Sequence, residues 1–131
     1  MSEIKQLYQQ LLPTGGFLLD NGNSKTEENQ FCYALSPDKG KGVFWQYFFE
    51  NMFEITKQDF YFFEDFFLES PEPEFLAIQY YSSVSGEEFH PYYQLSPNSL
   101  RAYIGGSQKT YRAVYHKNVP IRSVSISIMP D

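Results

Sequence analysis

Half of the residues between Phe44 and Phe67 are aromatic. Nothing else in the chain constrains its fold as much, because each ring carries roughly 150–250 Å² of surface that must find a partner. Val43 to Phe49 reads as a strand buried on both faces. The same chain has two histidines and one cysteine. It is equipped for packing and binding and has little for metal or nucleophilic chemistry.

At 131 residues the chain makes one domain, able to bury roughly 65–70% of its unfolded surface in a single core. A formal charge of −6 repels phosphate backbones, which argues against nucleic-acid binding by this segment alone. The acidic pairs Glu27-Glu28 and Glu87-Glu88 read as solvated loop positions. The N-terminus shows no basic region followed by an apolar stretch, and no window reaches the ~18 apolar residues of a membrane span. The expectation is a cytoplasmic protein that makes no use of a membrane. Cys32, in the apolar run Phe31 to Leu35, reads as a buried, inert thiol.

A short amphipathic helix is expected over residues 1–13, with Ser2 as N-cap and Ile4, Leu7, Tyr8 and Leu11 on one face. Pro13 and Gly15-Gly16 end it. Residues 21–29 read as a polar loop, and Ser36-Pro37-Asp38-Lys39-Gly40 as a turn. Beyond this the pattern is strand after strand, in a region running from 17 to 131. Strands are expected around Met52 to Thr56 and, after Lys57-Gln58-Asp59, again at Phe60 to Glu64. Leu76, Ile78 and Tyr80 alternate with Ala77 and Gln79, and Leu100, Ala102 and Ile104 with Arg101 and Tyr103. In the last strand Val124, Ile126 and Ile128 are expected inside, with Ser123, Ser125 and Ser127 outside. Roughly eight short strands with Gly, Pro and Asn turns indicate a mainly all-β sandwich or barrel.

The two histidines, His90 and His116, have no partners at ligand spacing, so no metal and no other cofactor is expected. No nucleophile elbow or phosphate-binding loop occurs, and no catalytic residue is assigned. Glu54, Asp59, Glu64 and Asp65 could form a carboxylate pair, but a solvated sheet edge is the better reading. A small antiparallel barrel can instead enclose a ligand. Trp45, Tyr47, Tyr61, Tyr80, Tyr103 and Tyr115 are the candidate wall residues, since each joins a ring to a polar tip. Arg101, Arg112 and His116 are candidate anchors for an anion.

Three stretches add a resemblance. Tyr111 to Pro130 (YRAVYHKNVPIRSVSISIMP) resembles the end of the N-terminal domain of bacterial AraC-family transcriptional regulators. Asp59 to Glu69 (DFYFFEDFFLE) and Leu76 to Glu88 (LAIQYYSSVSGEE) are similar to earlier parts of that domain. The resemblance implies a cupin-like jelly-roll, a β-barrel that senses a small-molecule effector or mediates dimerisation, with a homodimer as partner. DNA would be bound only by a separate C-terminal helix-turn-helix domain absent from these residues. A free-standing cupin-like binding protein is the alternative, and a cupin enzyme a more distant one.

Overall fold

The computed structural model describes residues 3–19, 29–50, 52–71, 75–89, 92–105 and 110–128, with side chains from Tyr8 onward. Helix α1 (Glu3–Thr14) carries Pro13 in its last turn and ends one residue later, where Thr14 Oγ1 donates to the Leu11 carbonyl at 2.6 Å. The Gly15 and Gly16 amides donate to the carbonyls of Leu12 and Pro13, both at 3.1 Å. Gly16 has φ of 93°, a conformation that stops the helix and suits a residue without Cβ.

The strands follow in order: β1 (Phe17–Leu19), β2 (Gln30–Leu35), β3 (Gly40–Phe49), β4 (Phe53–Phe62), β5 (Phe66–Pro71) and β6 (Leu76–Ser83). Then come β7 (Gly86–Phe89), β8 (Tyr93–Leu95), β9 (Ser99–Ile104), β10 (Thr110–Tyr115) and β11 (Ile121–Ile128). They form a seven-stranded sheet, ordered β1-β2-β3-β4-β11-β6-β9, and a four-stranded sheet, ordered β5-β10-β7-β8. Every pairing among the described residues is antiparallel. The protein is all-β apart from α1, and none of its described helices is long and apolar enough to cross a membrane.

Where two strands were expected, β4 runs unbroken through Lys57-Gln58-Asp59. Both neighbours supply the ladder there: Lys57 lies opposite Trp45 of β3 and Val124 of β11. Backbone pairing on both sides outweighs the local polarity, and alternation sends Lys57 and Asp59 outward.

The two sheets meet through rings. Phe60 packs edge-on against Phe17 at 4.7 Å and Phe62 at 5.4 Å, and Phe62 stacks on Phe66 of the smaller sheet at 4.6 Å. Ile121, Tyr81, Val84 and Leu95 complete this buried cluster, and Leu12 seats α1 on it. Several of these side chains also line the space between the sheets.

In β11 the large sheet is inverted relative to the sequence expectation. Ser123 and Ser127 of β11 are buried, whereas Val124 is 51% exposed and Ile128 nearly as much. The registers show how this choice of face continues across five strands. The inner rows read Phe48-Glu54-Ser127-Ala77-Tyr103, Gln46-Thr56-Ser125-Gln79-Arg101 and Phe44-Gln58-Ser123-Tyr81-Ser99. The outer rows read Phe49-Phe53-Ile128-Leu76-Ile104, Tyr47-Ile55-Ile126-Ile78-Ala102 and Trp45-Lys57-Val124-Tyr80-Leu100. Polar and small residues fill the middle of the inward face, flanked by Phe44, Phe48, Tyr81 and Tyr103, and a largely aliphatic face looks outward. A one-residue choice of face moves every side chain of a strand together, so the five strands must agree.

Candidate functional site

The polar inner rows are the floor of a cavity of about 170 Å³ between the sheets. Glu54, Gln58, Gln79 and Ser127 line it from the large sheet, Tyr8 and Leu11 from α1, and Leu68, Ser70, Tyr111 and Tyr115 from the smaller sheet. Phe44, Phe75 and Tyr103 add rings to the wall. Short side chains make the space: Ala77 flanks Ser127 on the floor, where larger residues would close the gap.

Among the described residues Glu54 is the charged side chain lining the cavity, and it is 1% exposed. Burial pushes its carboxyl up to about 7, while the neighbouring polar side chains of Ser127, Thr56 and Gln46 hold it below what burial alone would impose. Gln46 Nε2 donates to Glu54 Oε2 at 3.3 Å. Among the described residues no basic side chain lies within ion-pair distance of it. The Ser123 hydroxyl, deeper on the same face, has no hydrogen-bond partner among the described residues.

A tyrosine cluster faces this floor. Burial raises Tyr8, Tyr81 and Tyr111 well above the usual phenol range and raises Tyr115, so all four stay protonated at neutral pH. Tyr111 donates to Glu88 Oε2 at 2.6 Å. The other oxygen of Glu88 pairs with Arg101 at 2.8 Å. Burial alone would lower the Arg101 pKa, but its hydrogen bond to Glu88 and the charge beside it raise it. Its guanidinium lies over the rings of Tyr93 at 4.0 Å and Tyr103 at 4.6 Å. Arg101 is thus already neutralised.

The expected site residues divide. Tyr103 and Tyr115 line the cavity. Trp45, Tyr47 and Tyr80 belong to the outer rows, and Tyr61 lies on the same outward face of β4. Period-2 alternation sends them away from Phe44, Gln46, Phe60 and Phe62. Trp45 and Tyr47 instead stack on each other at 6.3 Å. Arg112 points outward and pairs with Glu69 at 3.2 Å, both well exposed. His116 shares a 2.7 Å hydrogen bond with Ser85 rather than reaching the cavity. None of the three basic candidates is a free anion anchor.

Asp59, Glu64 and Asp65 are exposed, but on no sheet edge: Asp59 faces outward from the central strand β4, and Glu64 and Asp65 lie between β4 and β5, while Glu54 is buried. Cys32 is half-buried, opposite Trp45 in an outer row, rather than buried. His90 and most of the loop expected at residues 21–29 lie outside the described residues. Among those described, no three His, Cys, Asp or Glu side chains gather as metal ligands. Sequence reading missed Gln58, Gln79 and Ser127 as site residues. The available signal was the polar alternation Glu54-Thr56-Gln58 beside Ser123-Ser125-Ser127, which looks the same for a wet outer face.

The site therefore offers amides, hydroxyls and one ionisable carboxyl inside a ring-lined space. No known protein family matches the chain, and no curated protein does.

Proposed function

We propose that this chain is an effector-sensing domain of the AraC-regulator kind, a cupin-like jelly-roll whose interior takes a small molecule. Binding there biases DNA binding by a second, C-terminal domain. The observation that carries the reading is the polar floor inside the sandwich. Buried Gln, Glu and Ser side chains cost stability unless something satisfies them, and a ligand does. The family half of the reading rests on the sequence resemblance.

The test has two parts. Reading the gene past the codon for Asp131 should reveal a continuing frame of on the order of 100 residues with paired basic helix-turn-helix motifs. The affinity of that full product for its own promoter DNA should then change with a compound that raises the melting temperature of this domain. A stop codon at that point would turn the protein into a free-standing binding protein, and the regulator reading would fall.

A second reading, self-association, is favoured by the outer face of the large sheet. Leu100 and Ile104 are each 73% exposed, and Leu76, Ile78, Tyr80 and Phe49 about two-fifths. Val124 and Ile128 add about half of their surface each, so the exposed apolar side chains lie on neighbouring strands of one face rather than singly. A contiguous patch of that kind marks an interaction surface. A second copy of this chain, placed face to face about a two-fold axis, is the occupant of that chemistry.

Val124→Glu tests it. On the folded monomer the new carboxylate sits beside Lys57, so the fold tolerates it, whereas a dimer would bury it at its centre. Sedimentation should show dimers for the parent and a dissociation constant raised at least ~100-fold in the variant. A parent that stays monomeric at high concentration would end this reading.

A further inference from the structure

We propose that the cavity takes a small organic ammonium compound, its nitrogen on the Glu54 carboxylate and its apolar body against the rings of Tyr8, Phe44, Phe75 and Tyr103. This rests on the reading of the cavity as a ligand site and names the chemistry it selects.

Charge is the first element of the selection. Of the cavity's surroundings, Glu88 is matched by Arg101, while Glu54 is not matched by any described basic residue. The fixed charge available to a ligand is therefore negative. A carboxylate taken out of water is costly unless paired, and a ligand cation is the partner that Glu54 lacks. An anionic ligand would meet Glu54 with like charge. A neutral polyol could use Gln58, Gln79 and Ser127, but would leave the carboxylate uncompensated.

Rings supply the second element. Tyr8 stands close enough to feel the charge of Glu54, and it packs on Phe44 at 5.8 Å. Phe75 and Tyr103 meet edge to face at 5.6 Å. Aromatic rings lining the same space as one carboxylate make an environment that stabilises an ammonium group over its neutral isostere. Size supplies the third. A cavity of about 170 Å³ slightly exceeds the ~150 Å³ apolar cavity known to hold benzene, which fits a single ring with a short aminoalkyl arm.

Protonation gives the proposal a signature. The groups against Glu54 are Tyr8 from α1, Gln46 from β3, Thr56 on its own strand and Ser127 from β11. Of these only Tyr8 titrates, and its phenol stays protonated far above neutral pH. With a free carboxyl near 7, Glu54 is mostly ionised at pH 8 and mostly protonated at pH 6. An ammonium ligand should therefore bind about tenfold more weakly at pH 6.

The experiment is calorimetric titration of the whole chain with 2-phenylethylamine, 2-phenylethanol, phenylacetate and a neutral hexose at both pH values. The expected result is that the amine binds at least tenfold more tightly than the alcohol at pH 8. It should lose about tenfold by pH 6, and Glu54→Gln, shown folded by circular dichroism, should bind it no better than the alcohol. Equal or tighter binding of the alcohol, acid or hexose would overturn the ammonium proposal and leave the ligand-site reading standing. Amine binding that survives Glu54→Gln and ignores pH would place the amine elsewhere and also overturn it. Folded parent protein that binds none of the four would overturn the proposal and count against the ligand-site reading as well. The pH series on the parent stands even if the variant fails to fold.

Discussion

Glu54→Gln should make the ligand-free protein more stable at pH 8, by about 2–4 kcal/mol, and change it little near pH 4. The carboxyl titrates near 7 when folded, against an ordinary value of 4.5. Between those values the folded chain holds a proton that the unfolded chain has released. Stability therefore falls as pH rises from about 4.5 to about 7, and the full penalty persists above that. Glutamine keeps the shape and hydrogen-bonding reach toward Gln46, Thr56 and Ser127 but has no charge to desolvate. Urea unfolding of both proteins at pH 4 and pH 8 separates this contribution from that of the surface carboxylates, which both proteins share. Parallel pH profiles would mean that Glu54 is not the costly buried acid described above. The gain in stability with loss of amine binding would be the usual exchange between stability and function at a binding site.

Gly42→Val should lower stability by about 4 kcal/mol or more, a large share of the roughly 5–15 kcal/mol that holds a typical domain folded. Two causes act together. Gly42 has φ of 125°, a backbone conformation that a β-branched residue strongly resists. A Cβ there would stand 2.2 Å from the Asp59 carbonyl oxygen and 2.5 Å from the Phe60 Cα, both main-chain atoms of β4. Relieving that contact would separate β3 from β4 beside Phe44 and Phe60, the rings at the centre of the core. The neighbouring Val43 is 42% exposed, so Val43→Thr should stay within about 0.5 kcal/mol of the parent. Thermal melts of the two variants should differ widely; similar melting temperatures would show that β3 can shift at Gly42 without cost.

Much of the architecture was legible in the sequence. The α1 stop at Gly15-Gly16, the turn through Ser36 to Gly40 and the strands at β3, β6, β9, β10 and β11 follow from local chemistry: glycine conformation, proline geometry and period-2 alternation. The break expected at Lys57-Gln58-Asp59 did not occur, because cross-strand pairing with β3 and β11 decides strand continuity there. The site was legible only in part. Tyr103 and Tyr115 carry the right ring and polar tip and lie on inward positions, while Trp45, Tyr47, Tyr61 and Tyr80 share that chemistry and lie on outward ones. Glu54 is visible as a carboxylate in a strand, and alternation along β4 sets it on the face opposite Asp59, but does not say which of the two faces is buried.

The sequence by itself determined that this chain is a mainly antiparallel β protein and how each strand's side chains divide into two sets. That division is local, since successive residues of a strand point to opposite faces whatever surrounds them. Only the tertiary structure decided which set lies inside. In β11 it chose serines over Val124, Ile126 and Ile128, because α1 and the four-stranded sheet cover that face and their rings span the gap above small, polar residues. The aliphatic set was thereby left on the outside. Burial depends on what packs against a face, and that partner comes from parts of the chain distant in sequence.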